Sequence, residues 1–329
     1  MDPVAFTIFG LDIRWYGVLI SAAMVLAVVI SMKRAASHQI RPDDVLDLAL
    51  FCLPAALVGA RAWYVLFNWS YYQGDLGKIL NFREGGLAIH GGLILAFTVG
   101  VLVCRHKKID PWNGLDLVAP VIALGQAIGR WGNFFNQEAH GSPTDLPWAI
   151  VVDGQKVHPT FLYESLWCLM LFFVLSAVDK RRRFKGETVM LYGVLYSFER
   201  FFVEQLRTDS LLTGPKELVT GLIDGGYDPT RVEGVLHLGD FLIFPFKTAQ
   251  FVSLVAFVVC LSGLIVMNKR IKRRKEMTAA EGGRIAAGEE DPAVSEDRIA
   301  AGEEDFAVSE GRIAAGEEDP AVSEDRIAA

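Results

Sequence analysis

Seven long apolar stretches constrain the fold of this chain more than any other feature of its sequence. A helix needs about 20 mostly apolar residues to cross a bilayer. Three stretches of about that length contain no acidic, lysine or arginine residue, and they are residues 15–32, 85–104 and 248–268. Four further apolar stretches contain charged side chains, and they are residues 45–67, 115–135, 161–178 and 188–206. The sequence therefore predicts an all-α polytopic membrane protein with about seven transmembrane helices.

Basic clusters follow the first, third, fifth and seventh stretches, and they predict the orientation in the membrane. They are residues 33–34, 105–108, 180–183 and 269–275. Lysine and arginine favour the cytoplasmic side, so we expect the amino terminus outside and the carboxyl terminus in the cytoplasm. The external segments are then residues 68–84, 136–160 and 207–247, and the last forms a small external segment before the last helix.

The carboxyl-terminal part of the chain differs from the rest in charge and complexity. Residues 276–329 carry sixteen acidic residues and four arginines, a net charge of −12, which leaves +5 for residues 1–275. A fourteen-residue unit that begins at Arg284 returns at Arg298 and Arg312. Such acidic repeats cannot bury enough apolar surface to fold. We therefore expect a seven-helix membrane domain over residues 1–275 and a disordered acidic cytoplasmic tail over 276–329, with partner binding by the tail as the alternative.

Several classes of function are excluded by what the chain lacks. Residues 1–275 are strongly apolar and only weakly basic, and the tail is acidic, so a nucleic-acid partner is not expected. The four cysteines lie in separate apolar stretches without a CxxC pair, and no His or Cys set has metal-ligand spacing. We therefore expect neither a metal nor a cofactor.

The sixth stretch places three charged residues at helical spacing. Arg200, Glu204 and Arg207 are spaced i, i+4, i+7, which predicts one helical face with two guanidinium groups around a carboxylate. Charged residues at membrane depth are functional by default, and arginine suits bidentate phosphate binding. An interhelical ion pair that only stabilises packing is the alternative.

The fourth, third and first stretches add further candidates. Arg130 and Asn133 lie one turn apart among glycines, which suits a lipid headgroup site, although glycine-mediated packing with an outward-reaching arginine has the same pattern. His90 lies between glycine pairs and could transfer protons or be a hydrogen-bonded core residue. Tyr16 begins the first stretch, where aromatic residues of the membrane interface also occur.

The residues in these stretches resemble those of the bacterial phosphatidylglycerol:prolipoprotein diacylglyceryl transferase family. Residues 129–138, GRWGNFFNQE, are similar to the family signature G-R-x-G-N-F-x-N-x-E. Further agreement is found at residues 14–17, 59–61, 85–92, 158–164 and 199–204. The resemblance extends from about residue 10 to residue 270. Phe161 departs from it at a position where the family often has a polar residue, and the acidic tail has no counterpart.

The resemblance implies an enzyme that transfers the sn-1,2-diacylglyceryl group from phosphatidylglycerol to the lipobox cysteine thiol of prolipoproteins, forming a thioether and releasing glycerol 1-phosphate. Its partners would be phosphatidylglycerol, prolipoprotein signal peptides with a lipobox cysteine, and membrane lipids. It would lie in the bacterial cytoplasmic (inner) membrane, with its active site toward the external or periplasmic leaflet.

The resemblance also implies roles for individual residues. His90 would be the base or hydrogen-bond partner of the thiol, and Tyr16 would line the pocket. The catalytic residues would be His90, Arg130, Arg200 and Tyr16. The residues that bind phosphatidylglycerol would be Gly129, Arg130, Asn133, Asn136, Glu138, Arg200, Glu204 and Arg207.

Two other classes of protein remain as alternatives. A multi-pass transporter for an anionic solute would place charged residues near the midplane, often in duplicated halves with broken helices. The strong polar residues here gather near the outer leaflet, and no duplicated half is visible. A membrane scaffold whose glycines only serve helix packing is the other alternative.

Overall fold

A computed structural model describes residues 2–82, 85–207, 212–213 and 246–286. These residues are mostly helical. Their α-helices are α1 Trp15–Ala35, α2 Pro42–Phe67, α3 Trp69–Tyr72, α4 Leu76–Leu80, α5 Ile89–His106, α6 Pro111–Asn136, α7 Thr160–Asp179, α8 Glu187–Leu206 and α9 Thr248–Ala286. Antiparallel pairs are formed by β1 Val4–Ile8 with β2 Leu11–Arg14, β3 Ile150–Val152 with β4 Gln155–Val157, and β5 Leu212–Thr213 with β6 Phe246–Lys247.

The long helices coincide with the predicted membrane stretches. Within the described residues, five helices are long and apolar enough to cross a membrane: Trp15–His38, Pro42–Phe67, Ile89–His106, Thr160–Asp179 and Ala249–Ala280. The prediction of a helical polytopic membrane protein is therefore confirmed. The other two stretches form α6 and α8, which are of similar length; α6 contains two charged side chains and α8 contains four. For α6 and α8, membrane crossing stays a prediction.

One end of the helix bundle is held together by ion pairs between basic and acidic side chains. Arg34, at the end of α1, contacts Asp179 at the end of α7 at 2.9 Å. Lys107 follows α5 and bonds to Asp44 in the first turn of α2 at 3.1 Å. Hydrogen bonds to Asp47 and Asp44 also raise the pKa of Lys107 above its ordinary value. We call this the basic end, and it joins the ends of α1, α5 and α7 to the start of α2.

The start of α8 lies at the same basic end, bound to α6. Asp116, fully buried in α6, accepts hydrogen bonds from the backbone N–H groups of Gly186 and Val189 at 2.6 and 2.9 Å. Free N–H groups at a helix start carry partial positive charge, so a carboxylate there stabilises the helix. Since α6 and α8 both begin at this end, both end on the opposite side of the bundle.

Glycines bring α2 and α5 into backbone contact. A Cβ atom on Gly59 would lie 2.4 Å from the Gly91 carbonyl oxygen, and one on Gly91 would lie 2.2 Å from the Trp63 Cβ. Small residues allow this close approach between membrane helices. Residues 59–61 and 85–92, two of the motifs shared with the family, therefore meet in one helix-helix contact. This contact determines where the amino-terminal turn of α5 lies.

The segment before α5 is held by Arg61 of α2. Its guanidinium group donates to the carbonyl oxygens of Lys78, Ile79, Gly85 and Gly86 at 2.6–3.0 Å. These bonds satisfy most of the five N–H donors of the group. Arg61 is thus a structural clamp on the end of α4 and on the residues that lead into α5.

The chain divides into two units, residues 1–267 and 268–329. In the second unit the structure describes residues 268–286, and they are helical. Residues 276–286 were assigned above to the disordered tail, but Ala279, Ala280 and Glu281 favour helix formation. The predictions for residues 287–329, and for most of the external segment 207–247, lie outside the described residues.

Candidate active site

Two arginines from different helices meet at one buried carboxylate. Arg130 of α6 contacts Oε2 of Glu164 in α7 through its Nη2 atom. Nη1 of Arg200 in α8 lies 3.6 Å from the same oxygen, and its Nη2 lies 2.5 Å from Oε2 of Glu204. The side chain of Glu164 is 1% exposed, and those of the arginines are 18% and 16% exposed. We call these four side chains the arginine cluster.

The arginine cluster lies just inside the end of the bundle opposite the basic end. Arg130 and Arg200 each precede the last residue of their helix by six positions, and Glu164 is four residues into α7. At 1.5 Å per residue the cluster is about 6–9 Å from the helix ends.

Two hydrogen bonds fix the register of α6 against α7 beside the cluster. The indole N–H of Trp131 donates to the Ser165 hydroxyl at 3.1 Å, and that hydroxyl donates to the Ala127 carbonyl at 2.8 Å. Trp131 and Ser165 are the neighbours in sequence of Arg130 and Glu164. The bonds between them therefore hold the ion pair in place.

Carboxylates outnumber guanidinium groups around the cluster. Glu199 precedes Arg200, is 6% exposed, and its two oxygens have no hydrogen bond among the described residues. Both oxygens of Glu164 also lack a well-aligned hydrogen bond within that part of the chain. Buried oxygens without such bonds are costly, so they would favour a ligand or water that donates hydrogen bonds.

The signature residues after Arg130 form a small pocket at the end of α6. Asn133 and Asn136 each donate a side-chain hydrogen bond to Oε1 of Glu138 at 3.1 Å. The pocket has a volume of about 60 Å³, room for a few atoms. Its lining residues are Asn133, Phe134, Gln137, Glu138, His140, Ile150, Val151, Val152 and Phe161. Phe161, which departs from the family pattern, stacks on Phe134 with ring centroids 4.7 Å apart.

Two further predicted residues are explained by packing between α1 and α6. A Cβ atom on Gly132 would lie 2.3 Å from the ring of Tyr16, and one on Gly129 would lie 3.3 Å from Ile20. Gly132 thus makes room for Tyr16, which lies against α6 two residues beyond Arg130. The Tyr16 side chain remains partly exposed, at 40%.

The position of Arg207 differs from the sequence prediction. Arg200 and Glu204 share a helical face and pair, as their spacing predicts. Arg207 is not on that face, because α8 ends at Leu206 and Arg207 is extended, with φ −74° and ψ 139°. Its backbone pairs with Gly141 as an antiparallel bridge, and its carbonyl accepts a hydrogen bond from Lys247 at 2.6 Å. The prediction of a three-residue helical face was therefore wrong at its third member.

His90 lies apart from these contacts. It occupies the first turn of α5, is exposed, and makes no hydrogen bond within the described residues. The prediction that it is a hydrogen-bonded core residue is therefore not supported by its surroundings. Its position depends on the α2–α5 glycine contact and on the Arg61 clamp. No group of His, Cys, Asp or Glu side chains among the described residues could hold a metal ion.

Comparison with known proteins decides the family. The family model described as prolipoprotein diacylglyceryl transferase matches residues 3–266. The chain belongs to the prolipoprotein diacylglyceryl transferase family.

Named relatives agree with this membership. The chain is 53% identical over 215 residues to the phosphatidylglycerol--prolipoprotein diacylglyceryl transferase of Finegoldia magna, covering 65% of this chain and 87% of that protein. It is 52% identical over 215 residues to the protein of that name from Clostridioides difficile, with the same coverage. It is 44% identical over 225 residues to the one from Acaryochloris marina, covering 65% and 82%.

Two residues at the site of this diacylglyceryl transferase, Glu164 and His140, were not among the site residues predicted from the sequence. Glu164 was recognised as a charge in an apolar stretch but was not placed in the site. The rule that membrane-depth charges are functional could have found it. His140 was also missed. It lines the pocket beside Glu138, and among the described residues its side chain makes a local hydrogen bond with the Gly141 carbonyl oxygen at 3.3 Å.

Proposed function

We propose that this diacylglyceryl transferase moves the sn-1,2-diacylglyceryl group of phosphatidylglycerol to the lipobox cysteine thiol of prolipoproteins, the first step of lipoprotein maturation. Family membership and the names of the relatives support these substrates. The observation that carries the proposal is that Arg130 and Arg200 reach the same oxygen of Glu164 from separate helices. Two guanidinium groups that share one carboxylate oxygen are also placed to share a phosphate oxygen.

The proposed reaction is a substitution at carbon. The thiolate sulfur forms a bond to the sn-3 carbon of the diacylglyceryl group, and the bond from that carbon to the phosphate oxygen breaks. The electron pair leaves with glycerol 1-phosphate, whose charge rises as the bond breaks. Guanidinium groups at that phosphate lower the barrier because their charge is already in place. The thiol must lose its proton, because the thiolate is the nucleophile.

Each predicted residue has a role in this proposal. Arg130 and Arg200 hold the phosphate, and Glu204 orients Arg200. Glu138, with the amides of Asn133 and Asn136, orders the headgroup side of the site, and Gly129 allows α6 to approach α1. Tyr16 lines the pocket, Arg207 assists from the end of α8, and His90 accepts the thiol proton or its hydrogen bond.

We propose further that seven helices cross the bacterial inner membrane with the amino terminus outside. The five apolar helices, together with α6 and α8, supply the seven crossings. Three of the basic clusters gather at the basic end, through Arg34, Lys107 and Arg182, which supports a cytoplasmic position for it. The arginine cluster then lies toward the periplasmic leaflet, and residues 276–329 lie in the cytoplasm.

Substitution of Arg130 tests the proposed function. Purified variants are incubated with phosphatidylglycerol and a lipobox peptide, and thioether formation is read from the peptide mass. We expect Arg130→Ala to lower the rate by about 100-fold or more, as loss of a charge-stabilising donor does. Arg130→Lys should recover only part of the rate, since lysine lacks the planar fork.

The matched control is Arg41→Ala, which removes an exposed arginine at the basic end and should leave the rate unchanged. Asn133→Ala and His90→Ala should each also lower product formation strongly in correctly inserted protein. Wild-type product levels from Arg130→Ala would contradict the proposal.

A further inference from the structure

The amino-terminal hairpin, residues 4–14, exposes apolar side chains on one face and at its tip. The strand register pairs Phe6 with Ile13 and Thr7 with Asp12. Paired residues lie on the same face of an antiparallel ladder and alternate along each strand. Phe6 and Ile8 are therefore on the same face and are 49% and 48% exposed, and Phe9 in the turn is fully exposed.

The opposite face of the hairpin is polar. The Thr7 hydroxyl donates to Asp12 Oδ1 across the strands at 2.7 Å, and Asp12 is exposed. The hairpin is thus amphipathic, although two strands alone enclose no core in which its apolar face could be buried. An apolar face beside a polar one is typical of elements that lie in a membrane interface.

The turn carries a bulky side chain in an unfavourable backbone conformation. Phe9 has φ +50° and Gly10 has φ +78°, and Asn or Asp is the usual residue before glycine in such a turn. A bulky residue at positive φ is strained. The turn geometry therefore does not explain a phenylalanine at position 9, whose side chain is fully exposed.

The hairpin is joined directly to a candidate membrane helix. Arg14 is the last strand residue and Trp15 is the first residue of α1, and the Trp15 N–H donates to the Pro3 carbonyl at 3.0 Å. The membrane surface of α1 therefore begins where the hairpin ends. The hairpin therefore adjoins the first turn of α1 without a linker.

We propose that the apolar face of this hairpin inserts into the outer lipid surface next to α1, with Phe9 as its deepest residue. Continuity with α1 and the polar opposite face support lipid as the occupant. An extended peptide that added to a strand edge would pair with backbone groups and leave the turn uncovered. A second copy of the chain could cover the apolar face of the hairpin only if no lipid occupied that face. The inference depends on α1 crossing the membrane with the amino terminus outside, as proposed above, and not on the proposed reaction.

Site-directed fluorescence tests this proposal in the full-length protein, held at one copy per phosphatidylglycerol-containing nanodisc. Phe9→Cys and Asp12→Cys are labelled with an environment-sensitive dye, and the unsubstituted chain gives the background of the four native thiols. We expect the probe at position 9 to emit at shorter wavelength and to be quenched by nitroxide-labelled lipid. Its quenching by aqueous iodide should be several-fold weaker than at position 12, on the polar face of the same hairpin.

Two results would overturn the proposal. One is equal iodide quenching at positions 9 and 12, which would mean that the tip is in water. The other is protection from iodide without quenching by lipid, which would mean that protein covers the tip, as a bound peptide or a second copy would. Ile8→Cys reports on the same face and replaces the first variant if that variant does not assemble.

Discussion

At the scale of single residues, Glu164 determines the spacing of the two arginines. It contacts both guanidinium groups and is almost fully buried. A phosphodiester has the same single negative charge as this carboxylate. The carboxylate therefore keeps Arg130 and Arg200 close together in the absence of lipid, at a separation that suits one oxyanion. Neither helix propensity nor spacing in one stretch could predict this contact, because it joins three helices.

Glu164→Gln is expected to keep the shape of the side chain but to leave the arginine charges less well paired. Breaking a buried ion pair costs about 3–5 kcal/mol, so thermal unfolding in detergent should begin at a lower temperature. We also expect kcat to fall, because the guanidinium groups move apart. Rates at several lipid concentrations separate kcat from KM.

Asp179→Asn is the matched control for Glu164→Gln, since Asp179 is a buried carboxylate at the other end of the same helix. It should lower the unfolding temperature through its lost bonds to Arg34 and His38, with little effect on kcat or on KM for phosphatidylglycerol. Equal kinetic effects of the two variants would argue against a special position of Glu164.

At the scale of elements, α6 determines the site by packing against two partners. Gly132 lies against Tyr16 of α1, and Trp131 is bonded to Ser165 of α7. The signature therefore combines residues that contact substrate in the proposed reaction with residues that hold neighbouring helices. A short sequence motif of this kind does not reveal which residue has which task.

Gly132→Ala is expected to separate α1 from α6 at the level of Tyr16. The added methyl group would meet the ring at 2.3 Å, and overpacking of this kind costs about 1–3 kcal/mol. Thermal unfolding and thioether formation should both be impaired. Gly125→Ala is the control in the same helix, because among the described residues no atom beyond the nearby backbone of α6 lies within 4 Å of its added atom. Unimpaired folding and activity of Gly132→Ala would contradict the packing account.

At the scale of the whole molecule, the length of the apolar stretches and the charges within and beside them predicted the positions of all seven long helices. α1, α2 and α7 begin and end within a few residues of the predicted stretches, because a bilayer demands a long uninterrupted apolar run. The amino-terminal hairpin and the short helices α3 and α4 were not predicted. Their strands and turns are short, and local contacts such as the Arg61 clamp decide them. The sequence predicted Arg130, Arg200 and Glu204 as site residues, but it did not predict that Glu164 lies between the two arginines.

Removal of the tail tests the division of the chain. Truncation after Lys275 should leave thioether formation in detergent near the wild-type rate, since the acidic repeats contain no residue placed in the site. Truncation after Ala286 keeps the whole described length of α9 and is the matched comparison. Loss of turnover in both variants would assign the tail a part in catalysis. Loss only in the shorter one would assign that part to the helical residues 276–286.

Arg61 carries a consequence for mutational scans of this protein. Because its guanidinium group donates to four carbonyl oxygens, it has little capacity left for a lipid phosphate, although it is an arginine in a membrane helix. An alanine scan scored by turnover alone would rank Arg61 beside Arg130. Only a parallel measurement of folding would distinguish Arg61, which holds the backbone before α5 in place, from Arg130, which is proposed to bind the lipid phosphate.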